Sequence, residues 1–205
     1  MISMKKRTRL ALVIALVLLL SACTSLPRLL KDGGQYRNTK SGVFYIEAPL
    51  CYVAARRGND AVALLEGTGA REELYPVGDF ALCTATGELF VPADMILPTL
   101  EKFSADCLIL CREDSLRIEL ARSTDAALLS AVTVALSEPK RISDDLLIPA
   151  PRYIVLLSSE ENPDLFYRLE YRADEESDCG VLYDREQDIY VAAPAGLYEL
   201  LTGGN

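Results

Sequence analysis

This chain contains no histidine. Its absence removes the commonest general base at neutral pH and the commonest protein metal ligand. No Ser-His-Asp or Cys-His nucleophile can be assembled, and no His-based zinc site. Carboxylates remain, since a glycosidase needs only two acids at a fixed separation across a cleft. The chain carries 30 Asp and Glu, enough to place many pairs together by chance. Two acidic turns, Glu160-Glu161-Asn162-Pro163-Asp164 and Asp174-Glu175-Glu176-Ser177-Asp178, offer the oxygens calcium takes, but without the alternating Asp-x-Asn-x-Asp-Gly pattern of a dedicated loop. Solvated hairpin turns at opposite ends of one strand are expected instead.

The other chemical signatures are weak. Ser137-Glu138-Pro139-Lys140 resembles the Ser-x-x-Lys pattern of penicillin-binding proteins and β-lactamases, where Ser opens a helix and Lys faces it one turn later. Here the tetrad ends an expected helix, has Pro inside it, and lacks Lys-Thr-Gly and Ser-Asp-Asn companions. Gly67-Thr68-Gly69 lacks the third glycine and the strand-to-helix setting of a nucleotide fingerprint, and is expected to be a turn. Tyrosines set on strands beside Arg152, Arg168 and Arg172 could form a recognition face, although core and rim positions account for most of them. No catalytic, cofactor-binding or metal-binding residue is assigned, and no cofactor is expected.

Cys23 stands apart from the other cysteines. Lys5, Lys6, Arg7 and Arg9 precede an unbroken apolar run from Leu10 to Leu20, and Leu20-Ser21-Ala22-Cys23 follows. A basic start, an apolar stretch and small residues before a cleavage point make up an export signal. The run covers only about 16 Å at helical rise, roughly half a hydrocarbon core. Leu20-Ser21-Ala22-Cys23 resembles the lipobox of bacterial lipoproteins, and the resemblance covers residues 1–23 only. It implies that signal peptidase II recognises Leu20, Ser21 and Ala22, cuts before Cys23, and leaves diacylglycerol on that thiol. Several acyl chains on one residue supply the anchor that stable membrane attachment requires. The protein is therefore expected on the extracytoplasmic face of a bacterial cell membrane.

Residues 1–22 hold four of the 21 basic residues and none of the 30 acidic ones, so the exported chain carries a formal charge of -13, against -9 for the whole. Such an acidic body is expected to bind no nucleic acid, which requires clustered Lys and Arg. With 50% apolar residues the chain is not generally disordered. The expected organisation is a cleaved signal over 1–22, a lipidated N-terminus and tether over 23–35 ending in flexible Gly33-Gly34, and one domain over 36–205. Cys51, Cys83, Cys107, Cys111 and Cys179 remain, an odd number that cannot all pair within the chain. On a strand, Cys107 and Cys111 would sit about 13 Å apart, beyond disulfide reach. Small buried hydrophobes are the expectation for most, with long-range pairing left open.

The elements follow from periodicity. Val43 to Ala55 reads as two short strands broken by Pro49, and Ala61 to Glu66, Leu74 to Val77, Phe80 to Thr84 and Glu88 to Val91 as further strands. A hairpin joins Cys107–Cys111 to Leu116–Arg122, with Leu116, Ile118 and Leu120 facing inward. A meander follows over 153–157, 165–172, 181–183 and 189–192. Helices are expected from Asp94 through Ile96, Leu100 and Phe103, from Asp125 to Ser137 under a Ser123 or Thr124 cap, and from Ala195 to Leu201. The fold class is thus α+β, mainly antiparallel sheet with two or three short helices. Gly87-Glu88-Leu89-Phe90-Val91-Pro92-Ala93 and Gln187-Asp188-Ile189-Tyr190-Val191-Ala192-Ala193 each lead from turn to strand to helix, which hints at related halves over 36–104 and 105–205. The function expected from an anchor without catalytic signatures is a non-enzymatic module that binds an envelope protein, peptide or glycan. The alternative is a carboxylate-dependent cell-wall or glycan hydrolase.

Overall fold

The computed structural model describes residues 26–67, 71–113, 115–138, 152–174 and 179–203, a sheet-rich α+β fold with three short helices among them. Leu20, Ser21, Ala22 and Cys23 lie outside the described residues, as do Thr68, Gly69, Pro139, Lys140 and residues 175–178. The first part of the chain forms β1 (Arg28–Asp32), β2 (Gln35–Asn38), β3 (Phe44–Glu47), β4 (Tyr52–Ala54), β5 (Ala63–Glu66), β6 (Arg71–Val77), β7 (Ala81–Cys83) and β8 (Leu89–Pro92). All but β4 close into a barrel in the order β1-β2-β3-β8-β7-β6-β5. Neighbours are antiparallel except at the closure, where β1 runs parallel to β5. Leu29, Ala63, Leu74, Leu82 and Phe90 fill the interior, and Tyr36 meets Phe90 edge to face at 5.3 Å.

The bounds expected for a tether do not hold at residues 28–32. Residues 28–32, expected within a tether over 23–35, are a barrel strand instead, with Leu29 fully buried and Arg28 paired to Glu66 at 3.2 Å. Gly33-Gly34 is the two-residue turn into β2, where φ of 65° at Gly33 suits a residue without Cβ. One apolar side chain between charged neighbours is too little pattern to mark a strand.

The second part supplies α1 (Leu100–Phe103), β9 (Cys107–Arg112), β10 (Ser115–Ser123), α2 (Ala126–Ser137), β11 (Arg152–Ser158), β12 (Leu165–Asp174), β13 (Cys179–Asp184), β14 (Ile189–Ala192) and α3 (Ala195–Thr202). Its strands pair antiparallel in the order β10-β9-β11-β12-β13-β14. One edge of β12 carries β11, while the other is divided between β4 at Leu165–Tyr167 and β13 at Glu170–Asp174. Because Val53 also bridges to Glu88, and the Ala54 amide donates to Gly87 at 3.0 Å, β4 stitches the open sheet to the barrel. Buried residues of both, together with Leu100, Phe103, Leu128, Val132 and Leu197 from the helices, form one continuous cluster.

Asp125 caps α2 by accepting from the Ala127 amide at 2.9 Å, and Leu128, Leu129, Val132 and Leu136 are buried as a stripe. The helix expected from Asp94 does not form. Only α1 is helical, it starts after Thr99, and Ile96 is 92% exposed. Pro98 brings no amide hydrogen and pushes Leu97 toward extended backbone. In β10 the expected facing is also reversed at Ile118 and Leu120, which are exposed, while Ala121 packs against the core. Register shifts between Ser115 and Ala121 account for this, since a one-residue slip moves side chains to the opposite face. The strand-to-helix segments of the two halves lead into α1 and α3, but the first half closes as a barrel and the second stays open.

Candidate ligand-binding site

A pocket lies at the seam between barrel and sheet, and the residues ahead of β4 build its buried wall. Beyond the end of β3 the Tyr52 amide donates back to the Pro49 carbonyl at 2.9 Å, and the Cys51 carbonyl accepts from the Arg168 amide of β12. Cys51 and Tyr52 are thereby held inside, at 0% and 4% exposure. The Tyr52 ring rests edge-on against Phe103 and Tyr167, with centroids 6.1 and 5.2 Å away.

The turn between β13 and β14 supplies the polar wall. Asp184 is fully buried, and its Oδ1 accepts from the Glu186 and Gln187 amides at 2.9 and 3.3 Å. Its Oδ2 accepts from the Tyr167 hydroxyl at 2.9 Å and the Gln187 side-chain amide at 3.2 Å. An Asp side chain that bonds amides two and three residues ahead fixes a turn, so Asp184 sets the position of Glu186. Glu186 itself is exposed, and its carboxylate reaches back to accept from the Cys51 thiol at 2.7 Å.

Burial, reinforced by the hydrogen bond to Glu186 and the charge of Asp184, pushes the Cys51 thiol well up from its ordinary value. It acts as a hydrogen-bond donor and not as a thiolate nucleophile. Burial also raises Tyr52, helped by Cys51, Glu186 and Asp184. The Tyr52 hydroxyl is closed off from solvent and has no hydrogen-bond partner among the described residues. Buried polar groups are nearly always paired, which makes this hydroxyl an anomaly behind the pocket wall. Ile46, Val91, Met95, Leu97 and Leu100 complete a cavity of about 310 Å³ beside Tyr52 and Glu186, and no Lys or Arg lines it. That size suits one small molecule or one inserted side chain.

Elsewhere, the structure gathers part of the tyrosine and arginine face. Tyr183 stacks on Tyr190 at 4.3 Å, and the Arg172 guanidinium lies 5.5 Å from the Tyr190 ring. Burial and a bond to Asp188 push Tyr183 up to about 12. Cys51, Cys83, Cys107 and Cys111 are buried thiols. A second cleft of about 400 Å³ holds Arg56, Asp106, Arg122, Ser158 and Glu160. There Asp106 accepts from the Glu160 amide at 2.5 Å and the Ser158 hydroxyl at 3.4 Å, and Arg122 pairs with Glu119 at 2.8 Å. Among the described residues no group of three or more Cys, Asp and Glu is arranged to hold a metal ion. Sequence reasoning missed the seam pocket because Cys51 and Glu186 are separated by 135 positions. The available signals were a proline-broken strand ending in Leu-Cys-Tyr and an Asp-Arg-Glu-Gln-Asp hairpin turn. No protein-family model matches the chain, and no curated protein and no solved structure matches it either.

Proposed function

We propose that this protein is a lipid-anchored binding module of the bacterial cell envelope, held at the extracytoplasmic membrane face through Cys23, with the seam pocket as its receptor site. The observation that carries the binding role is an apolar cavity of small-molecule size with one carboxylate, Glu186, on its wall and no described Lys or Arg paired with it. Glu186 stands exposed on the same wall, so a ligand can engage it without full desolvation of the carboxylate. The protonated Cys51 thiol steadies Glu186, and Asp184 steadies the turn that carries it. The free partner would be an envelope peptide, protein or glycan presenting a small apolar group with a polar head.

The hydrolase alternative finds less support in this pocket. Glu186 is the sole acid among its lining residues, and Asp184 is engaged by four donors. Two carboxylates flanking a bond are therefore not presented there. Anchoring is tested by expressing Cys23→Ser in a lipoprotein-producing bacterium with labelled palmitate. Loss of label and accumulation of uncleaved chain are expected, whereas a variant processed and membrane-bound like the parent would remove the anchor. The pocket is tested separately, by ligand-induced changes at Met95.

A further inference from the structure

We infer that the seam pocket selects a primary ammonium group carried on a short apolar chain. This ligand class deepens the binding role proposed above and rests on it. The charges around the pocket point one way. Glu186 lines it and Asp184 lies behind it, and neither forms an ion pair with any described Lys or Arg. An anionic head would meet like charge at the wall, while an ammonium would meet an uncompensated carboxylate.

The hydrogen-bonding capacity fits as well. Glu186 accepts one bond, from Cys51, and a carboxylate has about four acceptor positions. An ammonium has three donors to place on the acceptor positions that remain. It leaves the apolar remainder of the ligand against Ile46, Val91, Met95 and Leu100, where no polar group asks for a partner. A neutral alcohol would forgo the charge-assisted bond to Glu186. The ammonium could arrive on a free amine or as the lysine side chain of a peptide, two sources of one chemistry.

The sequence provides a reporter. Of the three methionines, Met1 and Met4 lie in the signal segment, so the processed protein keeps Met95 alone, and Met95 lines the pocket. A single ¹³C-methyl-methionine resonance of the processed, detergent-solubilised protein can be titrated with n-hexylammonium, n-hexanol, n-hexanoate and N-acetyl-lysine methylamide. Saturable movement with hexylammonium is expected, with hexanoate at least about tenfold weaker. Glu186→Gln should weaken hexylammonium about tenfold and remove its advantage over hexanol. A tighter lysine derivative would assign the peptide source, and a tighter hexylammonium the free amine. Equal binding of hexanoate, or an unchanged ammonium affinity in Glu186→Gln, overturns the ammonium class while leaving a pocket that binds apolar chains. No movement with any of the four probes overturns the binding site itself. Glu186 is a surface turn residue whose backbone bonds do not depend on its carboxylate, so Glu186→Gln should retain the fold.

Discussion

At the scale of single residues, the seam is a contrast between a saturated acid and an unsatisfied hydroxyl. Tyr167→Phe removes one of the donors that hold buried Asp184, and should cost about 1–3 kcal/mol in urea denaturation. Tyr52→Phe deletes an oxygen with no partner among the described residues, and should leave stability unchanged or raise it by up to about 1 kcal/mol. If the two substitutions destabilise equally, the hydrogen-bond assignment at the seam is wrong. Cys51 adds a pH dependence. Its folded pKa is raised, so at alkaline pH the unfolded chain loses this proton before the folded chain does. The stabilisation is complete below the unfolded thiol value of about 8.5 and declines as pH rises beyond it. The urea midpoint should therefore fall between about pH 8 and 11, and fall less steeply in Cys51→Ala. Cys83 and Cys111 are also raised by burial, so the slope should be reduced and not abolished. None of these roles could be read from residue type alone. Burial of Cys51 followed from its apolar neighbours, but its bond to Glu186 exists only once β4 and the β13–β14 turn meet.

At the scale of elements, alternation was the most legible signal. Leu165, Tyr167, Leu169 and Tyr171 face the core of β12, as a period of two dictates, and α2 follows its predicted stripe. Where the pattern misled, a local device intervened: Pro98 before α1, and the register shifts in β10. Strand β1 escaped because its pattern is one buried Leu29 among exposed neighbours. Leu29 and Leu30 thus make a direct comparison, adjacent in sequence but 0% and 40% exposed. Leu29→Ala should cost about 2–5 kcal/mol and Leu30→Ala no more than about 0.5 kcal/mol by thermal or urea unfolding. Similar costs would argue that residues 28–32 are not a strand in solution.

At the scale of the whole molecule, closure of the barrel was invisible in sequence, because the strand that completes it pairs parallel across more than thirty positions, Arg28 with Leu64. The α+β class was legible, since it depends only on the kinds of element present. The shared cluster of buried residues predicts that barrel and sheet unfold as a unit. Tyrosine fluorescence and far-ultraviolet circular dichroism should trace one coincident urea transition, and two separated transitions would show that the seam carries little of the stability. The early start of β1 also sets a working height. From Cys23 to Arg28 an extended backbone spans at most about 18 Å. With acyl chains at Cys23, as proposed, the protein lives on a short leash and patrols only a thin film above the lipid headgroups. Whatever occupies its seam must come down to that surface to be caught, and a target fixed in a remote layer of the envelope stays out of range.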